Sequence, residues 1–269
     1  MMKKAFTLIE LLVVIAIIAI LAAILLPVLT RAKIAAKKTQ ALAHMKQMGA
    51  SLMMYANDAD DFFVPASMRD TSGINLPVIW TEGLSTYVKN KDIFVAPDSD
   101  GAYATNWDAR RQQSIGYSDA TGVDPLSTAQ PGSAPPGTEG FPGPVNFSAA
   151  EEATKIGLFS VTPNAPKGNN TTKHRGYVFN PYNGRNSPDG DYLKGLPMIS
   201  DNDLVTFATD PWYPNSPSLS AGALKPIYAR YQSDGTGNGQ TPIVFADGHA
   251  KLYSAKSLNT YGNVIWRFR

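Results

Sequence analysis

Three groups of residues in this sequence have types and spacings that could do chemistry. Asp247-Gly248-His249 puts a carboxylate and an imidazole two residues apart, a pairing that supports general acid–base catalysis when a nucleophile stands beside it. Asp234-Gly235-Thr236-Gly237-Asn238-Gly239 sets oxygen-bearing side chains at alternate positions with Gly at the sixth, the first half of a calcium-loop pattern. Glu10 stands inside an otherwise apolar run. An unpaired carboxylate there costs at least about 2.5–3.5 kcal/mol near a bilayer centre, and less near its interface.

Each group has a plainer reading. Ile243-Val244-Phe245-Ala246 and His249-Ala250-Lys251-Leu252-Tyr253 flank Asp247-Gly248, so the pair predicts a tight hairpin with a two-residue turn, for which Asp-Gly supplies the positive φ angles. No serine or cysteine nucleophile motif accompanies the triplet, and Asp247 and Gly248 are assigned to the turn. The calcium-loop pattern fails at its twelfth position, where the bidentate Glu is replaced by Phe245; Asp234, Thr236 and Asn238 remain as candidate calcium ligands. His44, His174 and His249 are far apart and form no His-x-His or i, i+4 pair, which argues against a histidine metal site.

Composition narrows the function classes. A formal net charge of +2 with 17% charged residues, and no dense Lys/Arg run beyond residue 40, argue against a nucleic-acid partner. The absence of cysteine excludes disulfides, iron–sulfur clusters, Cys-ligated zinc and a thiol nucleophile. No paired-carboxylate motif suggests a membrane-anchored hydrolase.

The elements that hold these residues differ between the two ends. From Leu11 to Leu26 every residue is apolar, and from Phe6 to Leu29 only Thr7, Glu10 and Pro27 interrupt the run. As a helix this run is ~36 Å long, enough to cross a hydrocarbon core of ~30 Å. A cleaved secretory signal and an ordinary signal anchor are the plain alternatives. A secretory signal is disfavoured by the length of the run and by Pro27-Val28-Leu29-Thr30-Arg31, which offers no small-x-small cleavage site. Pro27 lacks an N–H and predicts a kink or loosening of the helix. Beyond it, Leu42, Met45, Gly49, Leu52 and Ala56 recur at spacings of three and four, flanked by Met48 and Tyr55. This is the stripe of an amphipathic helix over 30–57 that packs on a sheet, and it should end before Asp58, Asp60 and Asp61.

The rest reads as a loop-rich head. Leu84 to Asn90 predicts a short helix, Asp92 to Pro97 a strand and Gly176 to Phe179 another strand. Gly and Pro crowd the stretch from Asp119 to Phe147, and a second loop-rich region runs from Pro163 to Asp191.

Met1-Met2-Lys3-Lys4-Ala5-Phe6-Thr7-Leu8-Ile9-Glu10-Leu11-Leu12 resembles the leader and mature N-terminus of type IV prepilins and type II secretion pseudopilins. The resemblance implies cleavage after Ala5 by a prepilin peptidase, methylation of the new Phe6 amine, and an ion pair in the filament between that amine and Glu10 of a neighbouring subunit. The family's usual residue before the cut is Gly, where this chain has Ala5. Most of the chain also resembles a large group of pilin-like proteins with a C-terminal Phe-Ala-Asp-Gly-His signature, here residues 245–249. Many of these carry Cys where this chain has Ala41 and Ala96, and an Arg-His pair where it has Arg230-Tyr231. Major pseudopilins hold calcium in a C-terminal loop, which adds to the reading of Asp234, Thr236 and Asn238.

The expected architecture is therefore α+β, a pilin fold: a long N-terminal helix, transmembrane then amphipathic, packed on a small antiparallel β-sheet head with long loops. The expected organisation is a leader at 1–5, a transmembrane and filament-core helix at 6–29, an amphipathic helix at 30–57 and a head at 58–269. Expected partners are further copies of the chain and other pilins, the prepilin peptidase, the assembly machinery and the inner membrane, with a final place in an extracytoplasmic or cell-surface filament. One count opposes this topology. Arg31, Lys33, Lys37 and Lys38 lie beyond the span against Lys3 and Lys4 before it, and the positive-inside rule alone would leave the head in the cytoplasm. A reading of another class is a signal-anchored extracytoplasmic module, for glycan or surface adhesion, using Trp80, Trp107, Trp212 and Tyr213.

Overall fold

The computed structural model describes residues 7–68, 78–106, 108–118, 121, 145–165, 167–168, 176–179, 199–201 and 226–266, without the side chain of residue 68. Its spine is one helix, α1 (Leu8–Asp58), which runs through Pro27 without a break. Leu, Ile, Val and Ala fill its first half, and none of their side chains from Leu8 to Ile20 is covered by the head. In the second half Ala41, Met45, Met48, Gly49, Ser51, Leu52 and Ala56 are buried, as the periodic stripe predicts. The helix reaches one residue further than expected. Asp58 ends it with its carboxylate accepting the Tyr87 hydroxyl at 3.0 Å, and Asp60 and Asp61 follow with φ of 51° and 62°.

Strands β1 (Ser67–Met68) and β2 (Val78–Ile79) pair antiparallel, and β2 leads directly into α2 (Trp80–Ser85). The main sheet contains β3 (Ile115–Ser118), β4 (Gly157–Val161), β5 (Val178–Phe179), β8 (Gln240–Phe245) and β9 (Ala250–Ser254), in the order β5-β3-β4-β8-β9. A smaller parallel pair joins β6 (Ile199–Ser200) to β7 (Ile227–Tyr228). The short α3 (Ala255–Leu258) follows β9 directly. The α+β class stands, but the sheet is mixed: β5 runs parallel to β3, because it arrives after the long crossover through β4 that a parallel neighbour requires.

Two local expectations fail. The apolar run Ile93-Phe94-Val95 is not a strand. Residues Lys91–Phe94 form a 3-10 turn, with the Asn90 side chain accepting from the Asp92 N–H at 2.9 Å. The second helix begins at Trp80, not Leu84, because Trp80 and Leu84 share a buried face at i, i+4 spacing.

The core is organised around Trp80. Its ring lies 4.9 Å from Phe159, 5.7 Å from Phe94 and 5.9 Å from Tyr117 between centroids, and its indole N–H donates to the Tyr177 carbonyl at 2.6 Å. A buried indole paired in this way is a packing element. Trp80 is fully buried and gives no contact surface to a glycan; Trp107, Trp212 and Tyr213 lie outside the described residues. Ala41 and Ala96 are both buried in the same core, one on α1 and the other just after the 3-10 turn.

His44 faces this same seam from α1. Burial pulls its pKa below the ordinary imidazole value, against the Val95 backbone and the Asp92 carboxylate, which raise it. Its Nδ1 is buried without a partner among the described residues. The fold therefore favours neutral His44. As pH falls below the unfolded value of about 6.5, the unfolded chain takes the proton first and stability declines. Melting curves of wild type and His44→Gln between pH of about 7 and 5 should show a shallower decline for the variant.

Candidate assembly site

The start of α1 is built around Thr7 and Glu10. Thr7 is the N-cap, and its hydroxyl accepts from the Glu10 N–H at 3.2 Å. Glu10 Oε2 accepts in return from the Thr7 N–H and the Thr7 hydroxyl, both at 2.8 Å. This reciprocal capping box satisfies helix-start donors that have no intrahelical partner. Among the described residues, Glu10 Oε2 is the carboxylate oxygen that the cap engages. Thr-x-x-Glu before an apolar run is a sequence signal for this device, and the reading of Thr7 as a mere interruption missed it. Ala5 and Phe6, the expected processing residues, lie outside the described residues.

After this cap the large apolar side chains from Leu8 to Leu29 are exposed, and α1 is a helix long and apolar enough to cross a membrane. Among the described residues, side-chain bonds join the head to α1 about two turns beyond Leu29. There Lys37 pairs with the Asp98 carboxylate, and Lys38 Nζ donates to Gln232 Oε1 at 3.1 Å. Arg230 ties this seam together, donating to the Asp98 carbonyl at 3.1 Å and to Asn164 Oδ1 at 2.9 Å. Two of the four basic residues beyond the span thus hold the head to the helix. Arg31 and Lys33 stay exposed.

At its far end the head is seated by two glycines. The β8–β9 hairpin is real, but its loop is not the two-residue turn expected. The Phe245 N–H donates to the His249 carbonyl, and the Gly248 N–H to the Phe245 carbonyl, both at 2.9 Å. Only Gly248 has a positive φ, 86°; Asp247 does not. The loop is therefore a three-residue turn closed by a left-handed glycine. Asp247 keeps an ordinary backbone because its Oδ1 accepts the His249 N–H at 3.1 Å and lies 2.5 Å from His249 Nδ1. The His249 ring stacks on Phe245 at 4.3 Å between centroids. The Asp-His pair is thus spent on shaping the turn.

The turn rests on α1 at Gly49. A methyl group on Gly49 would lie 2.0 Å from the Gly248 carbonyl oxygen, and one on Gly248 would lie 2.9 Å from Met53 Cγ. Both positions need the absence of a side chain, and the sequence reading recognised Gly49 only as one more member of an apolar stripe.

The calcium-loop residues come together, but their donors and acceptors do not suit a cation. Asp234 Oδ1 accepts from the Thr236 N–H at 2.9 Å and the Thr236 hydroxyl at 2.7 Å, and its Oδ2 accepts from Asn238 Nδ2 at 2.9 Å. These donors hold the Asp234 carboxyl down to about 2. Asn238 turns its amide nitrogen inward, whereas a calcium loop needs its oxygen. Phe245, at the twelfth position, is part of the core.

Residues 1–26 match the family model of the prokaryotic N-terminal methylation motif. The motif is characteristic of type IV pilins and pseudopilins, structural proteins that a prepilin peptidase processes. No curated protein and no solved structure matches the chain.

Proposed function

We propose, from the methylation motif at residues 1–26, that the chain is a structural subunit of a type IV pilus or pseudopilus. In this reading a prepilin peptidase cuts between Ala5 and Phe6, the Phe6 amine is methylated, and the subunit passes from the inner membrane into an extracytoplasmic filament of further copies and other pilins. Residues 6–29 form the membrane and filament-core half of the helix. Residues 30–57 seat the head formed by 58–269.

A further observation that supports the reading is the exposed apolar half of α1, with Glu10 as its lone carboxylate at the start. In a membrane that surface faces lipid; in a filament it faces the same surface of other copies, where small and apolar residues allow close helix packing. A charge between helices is tolerated there only when paired, and the neighbour's Phe6 amine is the cation at matching depth. Pro27 removes one backbone donor from the continuous helix, which makes it the place where the filament-core half loosens on assembly.

The basic residues at 31–38 do not reverse the topology in this reading. A phosphatase and a fluorescent reporter fused to Arg269 test that point: phosphatase activity is expected, since the head lies outside the cytoplasm. Fluorescence with an inactive phosphatase would place the head in the cytoplasm and remove the filament reading.

A further inference from the structure

The polarity of the loop at 234–239 is reversed relative to a cation site. In the same loop, the Gly237 and Gly239 N–H groups converge on one oxygen of Asp201, Oδ2, at 2.8 and 3.0 Å. Two backbone donors two residues apart and aimed at one point make a small anion-binding concavity. Cation loops instead aim carbonyl and carboxylate oxygens at that point. The donors here are positioned by the loop itself, with Gly235 and Gly237 at φ of 74° and 88°. Asp201 is fully buried and fits closely: a methyl group on Gly239 would lie 2.4 Å from Asp201 Cβ.

The surrounding hydrogen bonds make this a junction. Asp201 follows β6 directly, and the Ala229 N–H after β7 donates to the Ser200 carbonyl at 2.9 Å. The loop's Gly237 and Gly239 carbonyls accept from the Lys256 and Ala255 N–H groups of α3 at 3.0 and 2.8 Å. One carboxylate thus ties together the β6–β7 pair, the loop and the start of α3.

We infer that the C-terminal loop of this head is an anion-holding loop whose occupant is the chain's own Asp201, and that this internal carboxylate, with no calcium ion, locks the loop to the β6–β7 pair and to α3. The head is accordingly stable without calcium. Asp201 Oδ1 has no hydrogen-bond partner among the described residues; a divalent cation on that oxygen is the rival arrangement.

The test is thermal melting of the full chain in detergent micelles, in chelator and in millimolar calcium. The melting temperature should be the same in both. Calcium at a hundred times its dissociation constant would instead raise it by roughly 5–10 °C for a chain of this size. Asp201→Asn should lower the melting temperature by roughly 4–8 °C, equally in both media, because two hydrogen bonds to a charged acceptor are weakened. A calcium-dependent rise in wild type that is lost in Asp201→Asn would overturn the inference in favour of a cation, and an unchanged melting temperature in Asp201→Asn would overturn the lock. Hydrogen exchange of wild type keeps the test open if the variant does not fold. The Gly237 and Gly239 amides should be protected to the same extent with chelator and with calcium, and exchange at unprotected rates in chelator would contradict the inference.

Discussion

Glu10→Ala should leave the chain in the membrane fraction and remove it from filaments. Two separate losses follow from the substitution, and their sizes differ. Glu10 and Thr7 cap α1 reciprocally, and losing such a cap costs about 0.5–2 kcal/mol. In the proposed filament it also strands the neighbour's amine in a low-dielectric bundle, which costs about 3–5 kcal/mol, a hundredfold or more in subunit association. The second loss therefore dominates. Thr7→Ala removes only the cap and should retain much of the incorporation. Glu10→Gln keeps an acceptor for Thr7 but loses the charge, and should fail nearly as badly as Glu10→Ala. Immunogold electron microscopy of cells carrying each variant checks the order. Equal incorporation of Glu10→Gln and wild type would show that charge at this position is not what registers the subunits.

Gly49→Ala is the substitution expected to harm the head most. By helix propensity alone the change should stabilise α1 by about 1 kcal/mol. The contact reverses the sign. The added methyl would lie 2.0 Å from the Gly248 carbonyl oxygen, so the β8–β9 turn must lift away from α1 or the helix must shift. Overpacking of this kind costs about 1–3 kcal/mol, occasionally more, and a backbone carbonyl held by the hairpin has little room to give. A net loss of about 2 kcal/mol, or roughly 4–8 °C in melting temperature, is expected. The neighbouring Ala50 is exposed and serves as the control. Ala50→Gly should cost only its propensity, about 1 kcal/mol. Melting both variants in micelles decides the matter, and a Gly49→Ala protein more stable than wild type would mean that the turn does not rest on the helix.

The long helix was readable because a strong apolar run and a sustained three-four stripe leave few alternatives, and the buried residues Met45, Met48, Gly49, Leu52 and Ala56 repeat that stripe. The hairpin was readable from Asp-Gly between two apolar runs. Its loop type was not, because Asp247 had two ways to satisfy its carboxylate, and the bond to His249 selects the ordinary backbone. The run Ile93-Phe94-Val95 shows a different limit: three apolar residues carry no period, and the Asn90 cap together with burial against α1 chose a 3-10 turn. The parallel pairing of β5 with β3 depends on contacts between distant segments, to which local patterning is blind.

The candidate site was legible in a similarly uneven way. Glu10 stood out because a carboxylate in an apolar run is costly, while Thr7 did not, although it is the other half of the same device. Asp234, Thr236 and Asn238 do gather as the calcium pattern suggests. The spacing does not encode which atoms point inward, and the amide nitrogen of Asn238 and the glycine N–H groups do. Asp201 carried no local signal at all, since the residues it holds lie more than thirty positions away.

The central claim, a processed subunit that polymerises through α1, is tested most directly by the mass of the N-terminal peptide in filaments sheared from the cell surface. The account predicts a peptide that begins at Phe6 with one added methyl group on its amine, recovered in the sheared fraction. A chain confined to the membrane fraction with residues 1–5 intact, or one whose N-terminus lies beyond Leu29, would contradict it.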